Sequence, residues 1–365
     1  MIAFGPTEEQ ELVRDAMREF AADALRSVTR ELDEASDIPA ELLDTIAQLG
    51  LVSTSIPETY GGGGEPRSAV TNALVLEELA HGDASVALAA MAPVGFANAI
   101  VDFGTEDQKQ AYLPALCGDS FQPAVLAAVE SGAFSDPALP RTQAEPKGDG
   151  AFVLSGAKAF VPLADRASHF LVIARTNGGL DAFVVPRDAK GLTVGGREKN
   201  MGLKALPTFG LELERVEVAA SARLGGDAGC DVRRLLDGGR AGLSAAMTGM
   251  SRAVLEYCVP YTKDRVAFDE PIARKQAIAF MLAEMHIETE GMRWLAWKAA
   301  SDLEQGRPAT RSANHARAIA AEKSMWIADN GVQCLGGHGY IREHPVEIWY
   351  RNARTLGVLE GTLYL

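Results

Sequence analysis

Near the end of the chain a single carboxylate, Glu360, stands in Leu359-Glu360-Gly361-Thr362, downstream of the tract Gln333-Cys334-Leu335-Gly336-Gly337-His338-Gly339-Tyr340. Gly357 and Val358 precede it, and along the chain no basic residue stands nearer than Arg354. A carboxylate buried without a basic neighbour becomes a stronger base, because dehydration disfavours its charged form. That property suits a group that removes a proton next to a carbonyl. The glycine tract reads as a turn that receives flavin phosphates, since glycine lets backbone approach closely. Plainer readings fit the same residues: a solvated glutamate beside a turn glycine, and a helix C-terminal turn at Gly336-Gly337.

Whatever these residues do, they need a scaffold. The 365 residues allow about two or three domains. Hydrophobic residues make up 47% and charged residues 23%, and no apolar run is expected to reach the ~18 residues of a membrane span. A net charge of -14 argues against a nucleic-acid partner, which needs clustered Lys and Arg. Cys117, Cys230, Cys258 and Cys334 are scattered without zinc-type spacing, so no metal is expected. The start Met1-Ile2-Ala3-Phe4 lacks the basic and apolar regions of a signal peptide. A reducing cytoplasm is the expected compartment.

Three segments are expected. Residues 1–118 read as helical: Thr7 and Gln10 form a capping-box pattern, and Leu12, Ala16, Phe20 and Ala24 fall four apart on one face. Further helices are expected near 40–49, ending at Gly50, and over Ala69–Leu79, after the glycine loop that follows Tyr60. The apolar run Val86–Ile100 either lines a pocket or is a core helix. Residues 119–227 read as strands. Phe170–Ala174 and Ala182–Val185 are joined across Asn177-Gly178-Gly179, while Leu211, Leu213, Val216 and Val218 alternate with a bulge. From 228 to 365 long helices return, over Leu235–Tyr257, Lys275–Leu303 and Ser312–Gln333, and a bundle is the natural packing.

This order, together with several motifs, resembles the acyl-CoA dehydrogenase family over essentially the whole chain. The motifs are the Tyr60 glycine loop, Glu106-Asp107-Gln108-Lys109 to Tyr112-Leu113-Pro114, and Glu130-Ser131-Gly132-Ala133-Phe134-Ser135-Asp136. Gly156-Ala157-Lys158-Ala159-Phe160-Val161, Arg265-Val266-Ala267-Phe268 with Gln276, the Gln333 tract and Glu360-Gly361-Thr362 follow. The resemblance implies an α+β multidomain fold: an N-terminal helical domain (1–118), a middle β-barrel-like domain (119–227) and a C-terminal four-helix bundle (228–365).

It also implies roles. Glu360 would be the catalytic base for the α-proton, its backbone N–H holding the thioester oxygen, with Gly361 beside it at the substrate. Asp237 and Arg240 match the helix start that borders the thioester and pantetheine. Some members carry their base on this helix just before the Arg, where this chain has Gly239. FAD is the implied cofactor. Gln333, Gly336 and Gly337 match its pyrophosphate side, and Arg265 and Gln276 match positions that reach the FAD of a neighbouring subunit. Val129, Ser135, Phe160, Val161, Pro162, Phe268 and Thr362 fall at further positions expected at the flavin.

Three departures stand out: Val129 replaces a hydroxyl residue, Pro162 has neither hydroxyl nor N–H, and the sequence after Thr362 lacks the usual Gln and closing helix. Asp269 also replaces a usual glycine. The implied partners are an acyl-CoA substrate, electron-transfer flavoprotein and further subunits in a homotetramer or in a heterotetramer with a homologue. The leading reading is α,β-dehydrogenation to a 2,3-enoyl-CoA. The alternatives are a non-catalytic subunit that completes a partner's FAD site, and the same fold with other chemistry, such as nitroalkane oxidation or DNA binding.

Overall fold

The computed structural model describes residues 5–132 and 135–365, without the side chain of Asp149. The Met1–Phe4 start and Ala133-Phe134 of the serine-aspartate motif lie outside the described residues. The chain opens with α1 (Glu8–Phe20), α2 (Thr29–Ala35), α3 (Ala40–Ala47), α4 (Ala69–Gly82), α5 (Ala84–Phe103) and α6 (Glu106–Tyr112). Thr7 and Gln10 close the expected capping box reciprocally. The expected apolar face of α1 is corrected: Leu12 and Ala16 face solvent, while Met17, Ala21 and Leu25 are buried. A spacing of four drifts from the 3.6-residue period, so such a row winds off the buried face.

A second correction concerns α5. It is long and apolar enough to span a membrane, contrary to the sequence expectation, yet 94% of its apolar window is buried inside the protein. Its small residues let other elements pack all around it, as in a core helix.

The middle of the chain forms a seven-stranded sheet from β1 (Ala124–Ala127), β2 (Gln143–Pro146), β3 (Phe152–Pro162), β4 (His169–Thr176), β5 (Gly179–Pro186), β6 (Leu192–Arg197) and β7 (Thr208–Val218). The strand order is β1-β4-β2-β3-β7-β6, with β5 paired to β4. Thr176 pairs with Gly179 across the expected tight hairpin. Leu211, Leu213, Val216 and Val218 are all buried, and the expected bulge between them falls at Arg215, whose φ is 53°. A second register shift in the β3–β7 ladder, between Lys158 and Val161, contains Phe160 at φ 54°. The extra residue re-aims the strand there.

The last part contains α7 (Val232–Asp264), the hairpin β8 (Val266–Ala267) and β9 (Glu270–Pro271), α8 (Gln276–Glu304), α9 (Thr310–Leu335) and α10 (Val346–Leu356). α7 packs on α4, α8 and α9, and α10 lies on α9. Helical parts thus stand on both sides of a β part, the three-part architecture that the motifs implied. After α10 the chain crosses back to the centre: Leu359 and Leu363–Leu365 are buried, and Asn98 of α5 donates to the Tyr364 carbonyl at 3.3 Å.

Candidate active site

Glu360 sits where three elements meet: the turn after α10, the start of α7, and the end of β1. Gly361 fixes the turn. Its φ is +56°, and a Cβ there would lie 2.4 Å from the Cβ of Ala128, just beyond β1. Only glycine meets both conditions without strain. On the α7 side, a Cβ on Gly239 would lie 2.8 Å from the Leu363 carbonyl and 3.7 Å from the Gly361 Cα. The α7 position that the resemblance offered as an alternative place for a base therefore abuts the Glu360 turn.

The electrostatics overturn the expectation of a carboxylate with no basic neighbour. The Glu360 side chain is 25% exposed and faces two guanidinium groups. Arg240 Nε donates to Glu360 Oε2 at 3.2 Å, and Arg317 Nε stands 3.4 Å from Oε1. These cations come from α7 and α9, so proximity along the chain said nothing about them. Arg240 also lies 3.6 Å from Asp237 Oδ1, while Thr310 donates to Asp237 Oδ2 at 2.7 Å. Burial raises the Asp237 pKa, with the Thr310 hydroxyl and the Arg240 charge opposing it. The Glu360 N–H donates no hydrogen bond among the described residues, so a donor stays available beside the carboxylate.

Arg317 was not anticipated. It is buried among Ala313, Ala316 and Ala320 on α9, and its Nη2 donates to the carbonyls of Leu356, Gly357 and Leu359. A lone Arg in an alanine-rich helix ordinarily reads as a solvated charge. Its periodicity with the buried alanines was the one available signal.

The residues expected at a flavin fall into two groups. Val129, Phe160, Val161 and Pro162 lie on or beside β1 and β3, with Val161 packed into the sheet core and Phe160 half-buried against the helices. The Phe160 N–H donates to Glu198, and the Val129 carbonyl accepts from the Ala159 N–H. Ser135 is exposed, and its Oγ accepts from the Glu130 N–H at 3.2 Å. Thr362 is buried, and its Oγ1 has no hydrogen-bond partner among the described residues.

The second group stands apart from Glu360. Gln333, Gly336 and Gly337 at the end of α9 are exposed, and a Cβ on either glycine would meet nothing within 4 Å. Arg265, Phe268 and Gln276 project from the β8–β9 hairpin and the start of α8. Phe268 is 85% exposed, and with Asp269 it takes a positive φ, the geometry of a tight hairpin turn. Asp269 fills the expected glycine position in that turn.

The neighbouring carboxylate Glu130 is built differently. It is buried and accepts from the Arg141 N–H and Nε, the Thr142 N–H and Oγ1, and Lys158 Nζ. Burial works to raise its pKa, but the Thr142 and Arg141 hydrogen bonds and the Lys158 charge prevail and hold it at about 2. Burial pushes Lys158 down to about 8 against the pull of Glu130.

Comparison with known proteins covers nearly the whole chain. The acyl-CoA dehydrogenase N-terminal, middle and C-terminal domain models match residues 7–119, 125–216 and 230–363. The short-chain specific acyl-CoA dehydrogenase of Megasphaera elsdenii is 33% identical over 98% of this chain and 96% of its own length. The butyryl-CoA dehydrogenase structure from that organism superposes with a TM-score of 0.89 at 32% identity, covering 99% of this chain and 96% of that one. A chain from a structure described as the electron transferring flavoprotein of Acidaminococcus fermentans gives the same TM-score at 31% identity, with 99% and 96% coverage.

Proposed function

Since this chain belongs to the acyl-CoA dehydrogenase family, we propose that it oxidises an acyl-CoA thioester to the 2,3-enoyl-CoA, with Glu360 as the base. It is an FAD-dependent oxidoreductase of the class that acts on CH–CH bonds. The observation that carries the reading is a carboxylate with spare acceptor capacity beside a free backbone N–H, at the meeting point of β1, α7 and the turn after α10.

The residues present fit FAD. The open Gly336-Gly337 turn admits backbone contact to phosphate, the unpartnered Thr362 Oγ1 offers a buried hydroxyl, and half-buried Phe160 offers an aromatic face. When bound, FAD would supply the acceptor for the hydride leaving the β-carbon. Glu360 takes the α-proton on its carboxylate, and its N–H donates to the thioester oxygen as enolate charge develops. Arg240 restricts the carboxylate through Oε2. Gly361 keeps the turn flush against Ala128.

The Megasphaera relatives favour a short acyl chain, and the Acidaminococcus structure favours electron-transfer flavoprotein as acceptor. Exposed Arg265 and Gln276, apart from Glu360, suit an FAD shared with a second copy in a homotetramer. A cytoplasmic location belongs to the same proposal.

The test is anaerobic mixing of the purified protein with a series of acyl-CoA thioesters while the flavin absorbance is followed. The wild type should bleach with at least one thioester, and E360Q should stay yellow. Loss of bleaching in neither protein, or an FAD-loaded monomer by light scattering, would remove the base assignment or the shared site respectively.

A further inference from the structure

Arg317 is not among the residues expected at substrate or flavin, yet its guanidinium bridges the end of α10 and Glu360. Its Nη2 reaches three carbonyl oxygens, of Leu356 at 3.1 Å, Gly357 at 3.0 Å and Leu359 at 2.7 Å. These belong to the last turn of α10 and to the residues that lead into Glu360. A cation there satisfies carbonyls that the helix end leaves open and complements the negative end of its dipole. The same guanidinium turns Nε toward Glu360 Oε1 at 3.4 Å, an ion pair without an aligned hydrogen bond. Arg240, from the opposite side, does hydrogen-bond Oε2.

Burying a guanidinium to 7% exposure is costly unless its donors are used. Burial lowers the Arg317 pKa, and the Glu360 charge opposes that shift. A surface turn would not need this arrangement. It is explained if the turn has to be held in one place.

We propose that Arg317 is a positioning residue, which clamps the Leu356–Leu359 carbonyls and so fixes the Glu360 carboxylate at the distance and angle that proton removal requires. The inference rests on the reading of Glu360 as the base. Misplacing a reacting group by about 1 Å costs on the order of 10²-fold in rate. Lysine at this position keeps one charge and one donor site but lacks the fork that serves the carbonyls and the carboxylate together. Methionine keeps the approximate volume and removes both.

The experiment compares wild type, E360Q, R317K and R317M by anaerobic flavin reduction per bound FAD at saturating acyl-CoA. The affinity for an unreactive acyl-CoA thioether is measured in parallel. R317M should lose about 10²-fold in the limiting rate, and R317K about tenfold, with thioether affinity within threefold of wild type and FAD content retained. A merely structural role would lower thermal stability and FAD content while leaving the rate per bound flavin unchanged. Rates within twofold of wild type in R317K and in any folded R317M overturn the inference and leave the function standing. If R317M does not fold, R317K decides alone. A wild type that no acyl-CoA reduces, or an E360Q variant that bleaches as fast, overturns the base assignment and the positioning role together.

Discussion

Two carboxylates flank Ala128, and the protein treats them in opposite ways. Glu130 is saturated, with donors from Arg141, Thr142 and Lys158, and Lys158 also donates to the Ala128 carbonyl. Glu360, whose turn packs on the Ala128 side chain through Gly361, receives one aligned hydrogen bond, from Arg240, and one looser ion pair, from Arg317. A buried carboxylate with every acceptor site occupied is fixed in its charged form and holds its neighbours in place. One that keeps lone pairs free can still receive a proton from outside the protein. Satisfaction thus distinguishes Glu130 from the proposed base Glu360 better than burial or the presence of cations does.

The comparison can be broken most directly by removing each charge. E360Q should lower the rate of flavin reduction by at least ~10²–10⁴-fold while costing less unfolding stability than the corresponding change at Glu130, because Glu360 is 25% exposed and accepts a single aligned hydrogen bond. Stopped-flow absorbance and denaturant titration of one preparation would measure both. A large stability loss in E360Q would place it with Glu130.

E130Q should show the reverse pattern. It leaves Lys158 buried beside a neutral amide, and breaking one side of a buried pair costs about 3–5 kcal/mol. The pH dependence sharpens the point. The Glu130 pKa falls from 4.5 to about 2 on folding, so its contribution, roughly 3 kcal/mol, is complete above pH 4.5. It is lost as pH drops toward 2. Denaturant melts of wild type and E130Q should therefore converge across that window, and a constant gap down to pH 2 would contradict the assignment.

G361A should cost about 2 kcal/mol from the left-handed φ and the overlap with Ala128, and it should slow flavin reduction beyond that loss because Glu360, the proposed base, moves with the turn. An unchanged melting temperature would mean that the Ala128 contact relaxes freely. The smallest expected effect is T362V. Its hydroxyl has no partner within the described residues, so replacement should alter stability by under about 1 kcal/mol while weakening FAD retention on dilution. Equal retention would show that the orphan hydroxyl does not meet the cofactor.

Local chemistry along the chain was enough for much of the frame. The Thr7 capping box, the Asn177-Gly178 hairpin, the bulge in β7 and the long C-terminal helices depend on contacts between residues close in sequence or on a regular period. The ordered motifs, carried by the family resemblance, were likewise enough to nominate Glu360 and to pass over Gly239. The α1 face was misread because spacing alone cannot say where the helix meets its neighbours. Apolar length likewise could not say whether α5 is covered by protein.

What tertiary structure alone decided is the electrostatic setting of Glu360. Arg240 lies 120 positions from Glu360 along the chain, and Arg317 reaches it from a different helix. Nothing in the sequence near Glu360 reports either cation. Helical period reveals which residues share a face, but which faces meet depends on how α7, α9 and α10 pack around a core assembled from distant segments. A charge pair formed across such a packing contact exists only once those helices are docked.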